Sequence, residues 1–245
     1  MYGINIVQRK EVVRMKKSLK TIALLTVLAV LFCAAGTAWA EAAHQRRIRL
    51  AAQVLDEMAA QNDAGSLGDV IASGRGVAIF PRVGKAGFIV GGMGGQGIVL
   101  LKGKNGKWTG PAFMGIAGAS FGLQIGASET ALVLVITNEA GVRAFTGGNS
   151  LTLGGDVSIA AGPVGRDAKA ATDGRAAAAI YSYSMTKGLF AGLALDGSQL
   201  NQNRDASKAY WGKPLSAQAA LGKPATDKRI KPVVNALNRL VKKAQ

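Results

Sequence analysis

The sequence predicts an α+β fold: a glycine-rich, strongly bent antiparallel β-sheet, barrel- or sandwich-like, flanked by N- and C-terminal amphipathic helices. Two kinds of observation support this fold class. Sixteen glycines lie among apolar residues between Gly74 and Gly126, a composition that suits backbones packing closely within a bent sheet. Apolar residues spaced three and four apart predict one helix before this block and another near the end of the chain.

The first 40 residues predict a leader and signal peptide. Three lysines follow Met15, the expected start, and an uncharged segment then leads to a small-residue motif that fits cleavage after Ala40. An uncleaved membrane anchor is the alternative, but the apolar run 22–35 is short beside the roughly 20 residues that a span needs. A bulky residue before Cys33 argues against a lipoprotein. We therefore expect an exported protein, periplasmic or secreted, with 41–245 as a single domain.

The predicted mature region is strongly basic. From residue 41 onward it holds 24 Lys and Arg against 13 Asp and Glu, a net charge of +11. Such a surplus favours an anionic partner: phospholipid, lipopolysaccharide, a peptidoglycan polymer or nucleic acid. Nucleic acid is disfavoured, because few aromatic side chains are interleaved with the basic residues to stack on bases.

The mature region is predicted to begin with two helices. The first covers 41–61, where a narrow apolar stripe carries three arginines in its opening turns. His44 lies close to the predicted mature end, where we expect the chain to fray. Ser66 is expected to cap a second, short helix that runs through Ala72 and ends at Gly74.

Strands are predicted next, with glycines and Pro81 as their breaks. A turn at 102–107 with Asn-Gly at its centre should return the chain into a strand that begins at Trp108. The run 131–136 is the clearest candidate for a central strand. The other strands predicted around this turn are 77–80, 88–90, 97–101 and a glycine-punctuated 117–127.

The remaining elements are shorter. A turn at 138–141 precedes a segment, 142–145, that suits either a strand or a short helix. Strands are then predicted at 156–161, 178–184 and 188–195, a polar excursion at 162–174, a helical turn at 214–221 ending at Gly222, and a last helix at 232–243.

Two interpretations of the last helix remain open. Its apolar face is formed by Val233, Val234, Leu237, Leu240 and Val241. From Arg204 to Gln245 the chain carries a net charge of +8, and an apolar face with a basic flank is typical of a helix lying in a membrane interface. The same pattern also fits a helix docked on its own core with its charges facing water.

The residue types argue against catalysis and against metal or cofactor binding. One histidine cannot build a histidine metal cluster, and its place near the mature end does not suit a catalytic triad. The cluster 91–97 has GxGxxG-like spacing, but a strand follows it, and a dinucleotide site needs a helix there and an acidic residue farther on. The scattered carboxylates nominate no acid–base pair. We predict no enzyme, no catalytic residue, no metal and no cofactor.

An ordered series of motifs resembles the SYLF domain family over roughly residues 45–240. The matching segments are Gly76–Pro81, Lys85–Phe88, Trp108 with Pro111, Gly118–Gly126, Leu153–Asp156, Ala161–Arg166, Tyr181–Ser184, Lys187–Gly192 and Tyr210–Gly212. Because the motifs keep their order across nearly the whole mature region, the resemblance is specific.

The resemblance implies a non-catalytic module that binds anionic phospholipid, with the N-terminal helix among its contacts. The basic residues that we predict to bind lipid are Arg46, Arg47, Arg49, Lys187, Lys228, Arg229, Lys231, Arg239, Lys242 and Lys243. The family has a yeast actin-binding branch, but export would separate this chain from cytoplasmic actin unless it were delivered to a host. The alternative function is an envelope structural or interaction protein that binds an acidic polymer or a protein partner.

Overall fold

The computed structural model describes residues 43–61, 64–103, 105–147, 150–163, 178–186, 189–192 and 195–244. The chain divides into two units, Met1–Ala42 and Ala43–Gln245, and all that follows concerns the second. The predicted leader, Lys187 and most of the polar excursion lie outside the described residues.

The described part of the chain contains both helices and strands. In order they are α1 (43–59), α2 (Ala64–Ser73), β1 (Gly76–Lys102), β2 (Trp108–Ile136), α3 (Glu139–Thr146), β3 (Leu151–Thr152), β4 (Ile159–Ala161), β5 (Ile180–Thr186), β6 (Leu189–Gly192), β7 (Gln199–Gln202), α4 (Arg204–Trp211), α5 (Ala217–Leu221) and α6 (Lys231–Ala244). This order confirms the predicted α+β class.

Strand β2 organises the sheet, in which seven of the described strands take part. It pairs with β1 along one edge, while β7 and β5 pair with separate parts of its other edge. Strand β3 continues the sheet beside β7, and β6 pairs with β5. The named strand pairs are antiparallel as predicted except for one, in which β4 runs parallel to β5.

Strand β1 is continuous over 27 residues, so the prediction of three separate strands is wrong. Neither Pro81 nor the glycine cluster 91–95 ends it. Its pairing with β2 instead shifts register at three places, between Phe80 and Val83, Gly87 and Ile89, and Val99 and Leu101. Register shifts of this kind add bend and twist without breaking the ladder. The sheet curls strongly, as predicted.

The sheet carries a core on each face because successive side chains in a strand point to opposite sides. Val77 and Ile79 face the first core, where α1, α2, α4 and α6 pack. Ala78 and Phe80 face the second core, which α3, α5 and the β3 region cover. With both faces covered there, the segments 76–81 and 97–101 at the two ends of β1 are buried in protein.

The helix predictions are confirmed with small shifts. Helix α2 begins two residues before Ser66, so that serine is not its cap. The ambiguous 142–145 is helical, because the Asn138 side chain accepts a hydrogen bond from the Gly141 amide (3.1 Å) and so caps α3. Helix α5 ends at Gly222 as predicted. Helix α4 and strand β7 were not predicted; α4 is short and polar, and its start signal is the capping side chain of Asn203.

Across the described ranges, no helix combines the length and the hydrophobicity that crossing a membrane requires.

Candidate functional site

A groove of about 280 Å³ lies between the first turns of α1 and two segments of β1. Three arginines and several apolar or small residues share its lining, whose surface is mostly apolar. The residues are Ala43, Arg46, Arg47, Leu50, Pro81, Arg82, Gly95 and Gln96. Guanidinium groups recognise carboxylate and phosphate oxygens, so this lining suits an anionic group joined to an apolar one. We call it the arginine groove.

The periodicity of α1 determines which of its side chains line the groove. Leu50 follows Arg46 by four residues and Arg47 by three, so both arginines lie on the same side of α1 as Leu50. Arg46 is exposed and Arg47 is half-buried. Arg49 is also exposed, but it is not among the residues that line the groove. The three arginines predicted in this helix are therefore not equivalent.

Arg47 is the most enclosed cation of the groove. Its guanidinium lies over the Phe113 ring, 5.7 Å from the centroid, and burial lowers its pKa, although arginine stays protonated in proteins. Its Nη1 is buried, and none of the described residues accepts a hydrogen bond from it. A buried donor without an acceptor costs about 1–3 kcal/mol, and this one lies on the side of Arg47 that faces the buried Phe113 ring.

The β1 side of the groove depends on a close approach of two parts of that strand. A Cβ atom on Gly95 would lie 2.6 Å from the Arg82 carbonyl oxygen and 2.9 Å from a Val83 methyl carbon. Only glycine permits this approach. Sequence reasoning assigned the glycine block to shape alone and missed Arg82; the available signal was an arginine directly after Pro81, where a strand that must bend places an exposed side chain.

Arg82 and Gln96 have partners outside the groove. The Arg82 Nε lies 3.4 Å from a carboxylate oxygen of Glu129, and the two side chains are 53% and 59% exposed. An ion pair this exposed contributes about 0–1 kcal/mol, so Arg82 remains available to a stronger anion. The Gln96 Oε1 accepts a hydrogen bond from Asn203 Nδ2 (2.8 Å), which joins the groove to the start of α4.

The expectation that the chain frays at His44 is wrong. His44 is fully buried and makes edge contacts with the rings of Phe113 (6.1 Å) and Tyr210 (5.8 Å). Such aromatic pairs favour edge-to-face geometry at these distances. The start of α1 is therefore packed against the core, and this packing holds the backbone of Arg46 and Arg47 in place.

Arg229, predicted to bind lipid, belongs to a separate cluster. It makes a two-pronged ion pair with Asp227, with a closest distance of 2.6 Å, and lies 4.1 Å from the centroid of the Tyr210 ring. Its hydrogen bonds hold the pKa of the Asp227 carboxyl below the usual value, against the opposing effect of burial. Burial raises the pKa of Tyr210 to about 12. This cluster stabilises the turn before α6.

Two basic residues of α6 contact α1. Arg239 Nη2 lies 2.6 Å from an Asp56 carboxylate oxygen, and Lys243 Nζ donates to the Ala59 carbonyl oxygen at 2.7 Å. The apolar face of α6 is buried through Leu237 and its neighbours in the first core. The structure thus shows the helix docked on its own domain.

The remaining predicted residues do not gather in one place. Lys228, Lys231 and Lys242 are exposed, like Arg49. Of the ten residues predicted to bind lipid, Arg46 and Arg47 line the arginine groove. The structure adds Arg82 to them.

Other features offer less to a ligand. A cavity of about 440 Å³ beside α3 is lined by Arg143 and Asp156 among mostly small residues, so its one cation is matched by one carboxylate. Within the described ranges, no three His, Cys, Asp or Glu side chains lie close enough together to hold a metal ion.

Part of the chain matches a known protein family. Residues 117–244 match the Ysc84 family model, described as "Las17-binding protein actin regulator". The matched segment contains most of β2 and every later element, while the groove residues all precede it. The family match therefore says nothing about the arginine groove, which is described from the structure of this chain alone.

Several curated proteins are similar to this chain. SH3 domain-containing YSC84-like protein 1 from Xenopus laevis is 41% identical over 144 residues, covering 59% of this chain and 43% of its own length. The Homo sapiens protein of that name is 38% identical over 148 residues, covering 60% and 43%. LAS seventeen-binding protein 3 from Saccharomyces cerevisiae (strain ATCC 204508 / S288c) is 37% identical over 155 residues, covering 62% and 34%. The chain thus matches less than half the length of each.

Proposed function

This chain belongs to the SYLF family defined by the Ysc84 model, and from that premise we propose that it is a non-catalytic module that associates with anionic phospholipid membranes. Relatives are named for binding rather than for a reaction, which agrees with this class. The observation that carries the proposal is the arginine groove, where three arginine residues lie beside an apolar lining.

General attraction supplements the groove. Arg49, Lys228, Lys231 and Lys242 are exposed, and each Lys or Arg near an anionic bilayer surface contributes about 1 kcal/mol. This attraction needs no defined geometry and weakens with salt. The groove contributes what general attraction lacks, a fixed arrangement of donors and an apolar lining.

The location belongs to the same proposal. If residues 1–40 direct export, the domain meets the lipids of a cell envelope, where phosphatidylglycerol or cardiolipin would supply the acidic headgroup. Detection of the mature protein in periplasmic or culture fractions, beginning at Glu41, tests this part. A protein found only in the cytoplasm with its leader intact would contradict it.

Vesicle co-sedimentation tests the function. The protein is mixed with vesicles of phosphatidylcholine alone and of phosphatidylcholine with phosphatidylglycerol, at about 0.1 M and about 1 M salt, where the Debye length falls from roughly 10 to 3 Å. We expect binding to the anionic vesicles that weakens at high salt. Equal binding to both vesicle types, or to neither, would contradict the proposal.

A protein partner is the second candidate, and the description of the matching family supports it. The matching model is described as an actin regulator that binds Las17, so this chain could share a protein-binding surface within residues 117–244. Co-sedimentation with actin filaments in the absence of lipid tests this candidate. Saturable pelleting with actin, together with no response to anionic vesicles, would favour it over membrane association.

A further inference from the structure

We propose that the cavity beside α3 binds a short peptide with two free ends, its carboxylate at Arg143 and its ammonium at Asp156. The cavity has about 440 Å³, and residues of α3 line one side of it while residues between Ser150 and Asp156 line the other. Helix α3 packs on the opposite face of the sheet from α1. The peptide site is therefore separate from the arginine groove and does not depend on the membrane function.

The two charged residues of the α3 cavity do not neutralise each other. Arg143 and Asp156 both line it, yet they form no ion pair with one another. Glu139, one turn before Arg143 on α3, pairs instead with Arg75. A simple anion gains little here, because Asp156 would repel it. A ligand that carries both charges would form a charge-assisted hydrogen bond with each residue.

The Asp156 carboxylate uses one oxygen for the fold and leaves the other open. Its Oδ2 accepts a 2.7 Å hydrogen bond from the Thr152 amide, and its own amide donates to the Thr152 carbonyl oxygen at 2.8 Å. Within the described ranges, no residue donates to Oδ1. An ionised carboxylate only accepts hydrogen bonds, so this oxygen suits a peptide ammonium, which only donates them.

Both sides of the α3 cavity are anchored in the second core. Phe145, two residues after Arg143, is buried there, and so is Leu151 on the other side. The Asn138 cap fixes the start of α3, and the paired hydrogen bonds between Thr152 and Asp156 fix the turn. The backbones that carry the two charges are thus held in place before a ligand arrives, which lowers the entropy cost of binding.

The size of the α3 cavity selects a peptide of two or three residues. A cavity of about 150 Å³ accommodates benzene, with about six heavy atoms, so about 440 Å³ takes roughly 18. Trialanine has about 16 heavy atoms at that ratio. Its ends lie roughly 10 Å apart when extended, close to the diameter of about 9 Å of a sphere of this volume. A single amino acid carries both charges on one carbon and is too short to span it.

The other lining residues select the kind of peptide. Ala140, Ala144 and Gly147 are small, so methyl side chains can approach them closely, and the Ser150 hydroxyl can pair with a peptide amide. A choline-type zwitterion fits less well, because quaternary ammonium groups prefer aromatic faces, and the described lining contains no aromatic residue. We therefore commit to a peptide of small residues.

Titration of the full chain with trialanine tests the site by calorimetry. We expect one-to-one binding that acetylation of the peptide amine, or amidation of its carboxylate, weakens by about fivefold or more. In Arg143→Gln the free and amidated peptides should bind alike, and in Asp156→Asn the free and acetylated peptides should bind alike. Asparagine keeps an oxygen for the Thr152 amide. Arg49→Gln, outside the cavity, is the control and should change binding by less than about twofold.

The blocked peptides are compared on the same folded protein, so misfolding of a variant cannot imitate their effect. No saturable binding of trialanine, or equal binding of the free and blocked peptides, overturns the proposal. Sensitivity to only one of the two blocks overturns recognition of both ends. Glycerophosphoethanolamine, a zwitterion with a phosphate, should bind more weakly than trialanine, and tighter binding would overturn the assignment to a peptide. Vesicle binding is unaffected by any of these results.

Discussion

The backbone amide of Lys102 donates a 2.7 Å hydrogen bond to the carbonyl oxygen of Arg75, so the two ends of strand β1 meet. An extended strand of 27 residues would span about 90 Å at roughly 3.3 Å per residue. The strand must therefore bend back on itself. That bend brings Arg82 beside Gly95 and so builds one wall of the arginine groove.

Gly97 should be the glycine of the bent strand β1 at which a substitution is least tolerated. A Cβ atom there would lie 2.4 Å from the Ile79 carbonyl oxygen and 2.6 Å from the Phe80 ring. We expect Gly97→Ala to lower the free energy of unfolding by about 2 kcal/mol or more, as overpacking does. Gly92→Ala is the matched control, since its Cβ would meet nothing within 4 Å, and it should change stability by less than about 1 kcal/mol in urea denaturation. Equal effects would refute the close crossing.

A side chain at Gly95 should weaken binding to anionic vesicles, because it would displace Arg82. Gly95→Ala forces its Cβ toward the Arg82 carbonyl oxygen, which is backbone and cannot give way without moving Arg82. We expect weaker binding to anionic vesicles at temperatures where circular dichroism shows the variant folded. Gly92→Ala should bind as the wild type does. Unchanged binding by a folded Gly95→Ala protein would remove Arg82 from the site.

Apolar packing, more than ion pairs, should hold α6 in place. Leu237 is fully buried, and Leu237→Ala should cost about 2–5 kcal/mol of unfolding free energy. Arg239 and Asp56 are both about half exposed, so Arg239→Ala should cost no more than about 1 kcal/mol. Thermal and urea unfolding distinguish the two effects. A larger loss from Arg239→Ala would mean that the helix is held by charge.

Low pH should remove the contribution of Asp227 to the free energy of unfolding. Its pKa is lowered in the folded protein by Arg229, so the ionised form is favoured on folding, and the stabilisation is present above the unfolded pKa near 3.9. Wild type should exceed Asp227→Asn in unfolding free energy by a constant amount down to about pH 5, and the difference should shrink below about pH 4. A difference independent of pH between 3 and 7 would contradict the role assigned to this pair, given the usual carboxyl range.

The sequence was sufficient for the fold class and for most elements, because periodicity and turn residues act locally. The strand 131–136, the turn at Gly106 and the helix ending at Gly222 follow from such signals. It could not show that β1 passes through Pro81, since continuity there depends on pairing with β2. For the same reason it did not indicate Arg82, and it could not show that Asp227 and Asp56 lie beside Arg229 and Arg239, two of the residues predicted to bind lipid.

Position in the groove, and not charge alone, should determine how much an arginine of α1 contributes to lipid binding. Arg46 and Arg49 are both exposed on α1, and replacing either with glutamine removes one positive charge; only Arg46 lines the groove. Affinity for phosphatidylglycerol vesicles should be measured for both variants, and the shared residues 1–42 cancel in the comparison. We predict a loss of about threefold or more for Arg46→Gln and less than about twofold for Arg49→Gln. Equal losses from the two variants would contradict the account.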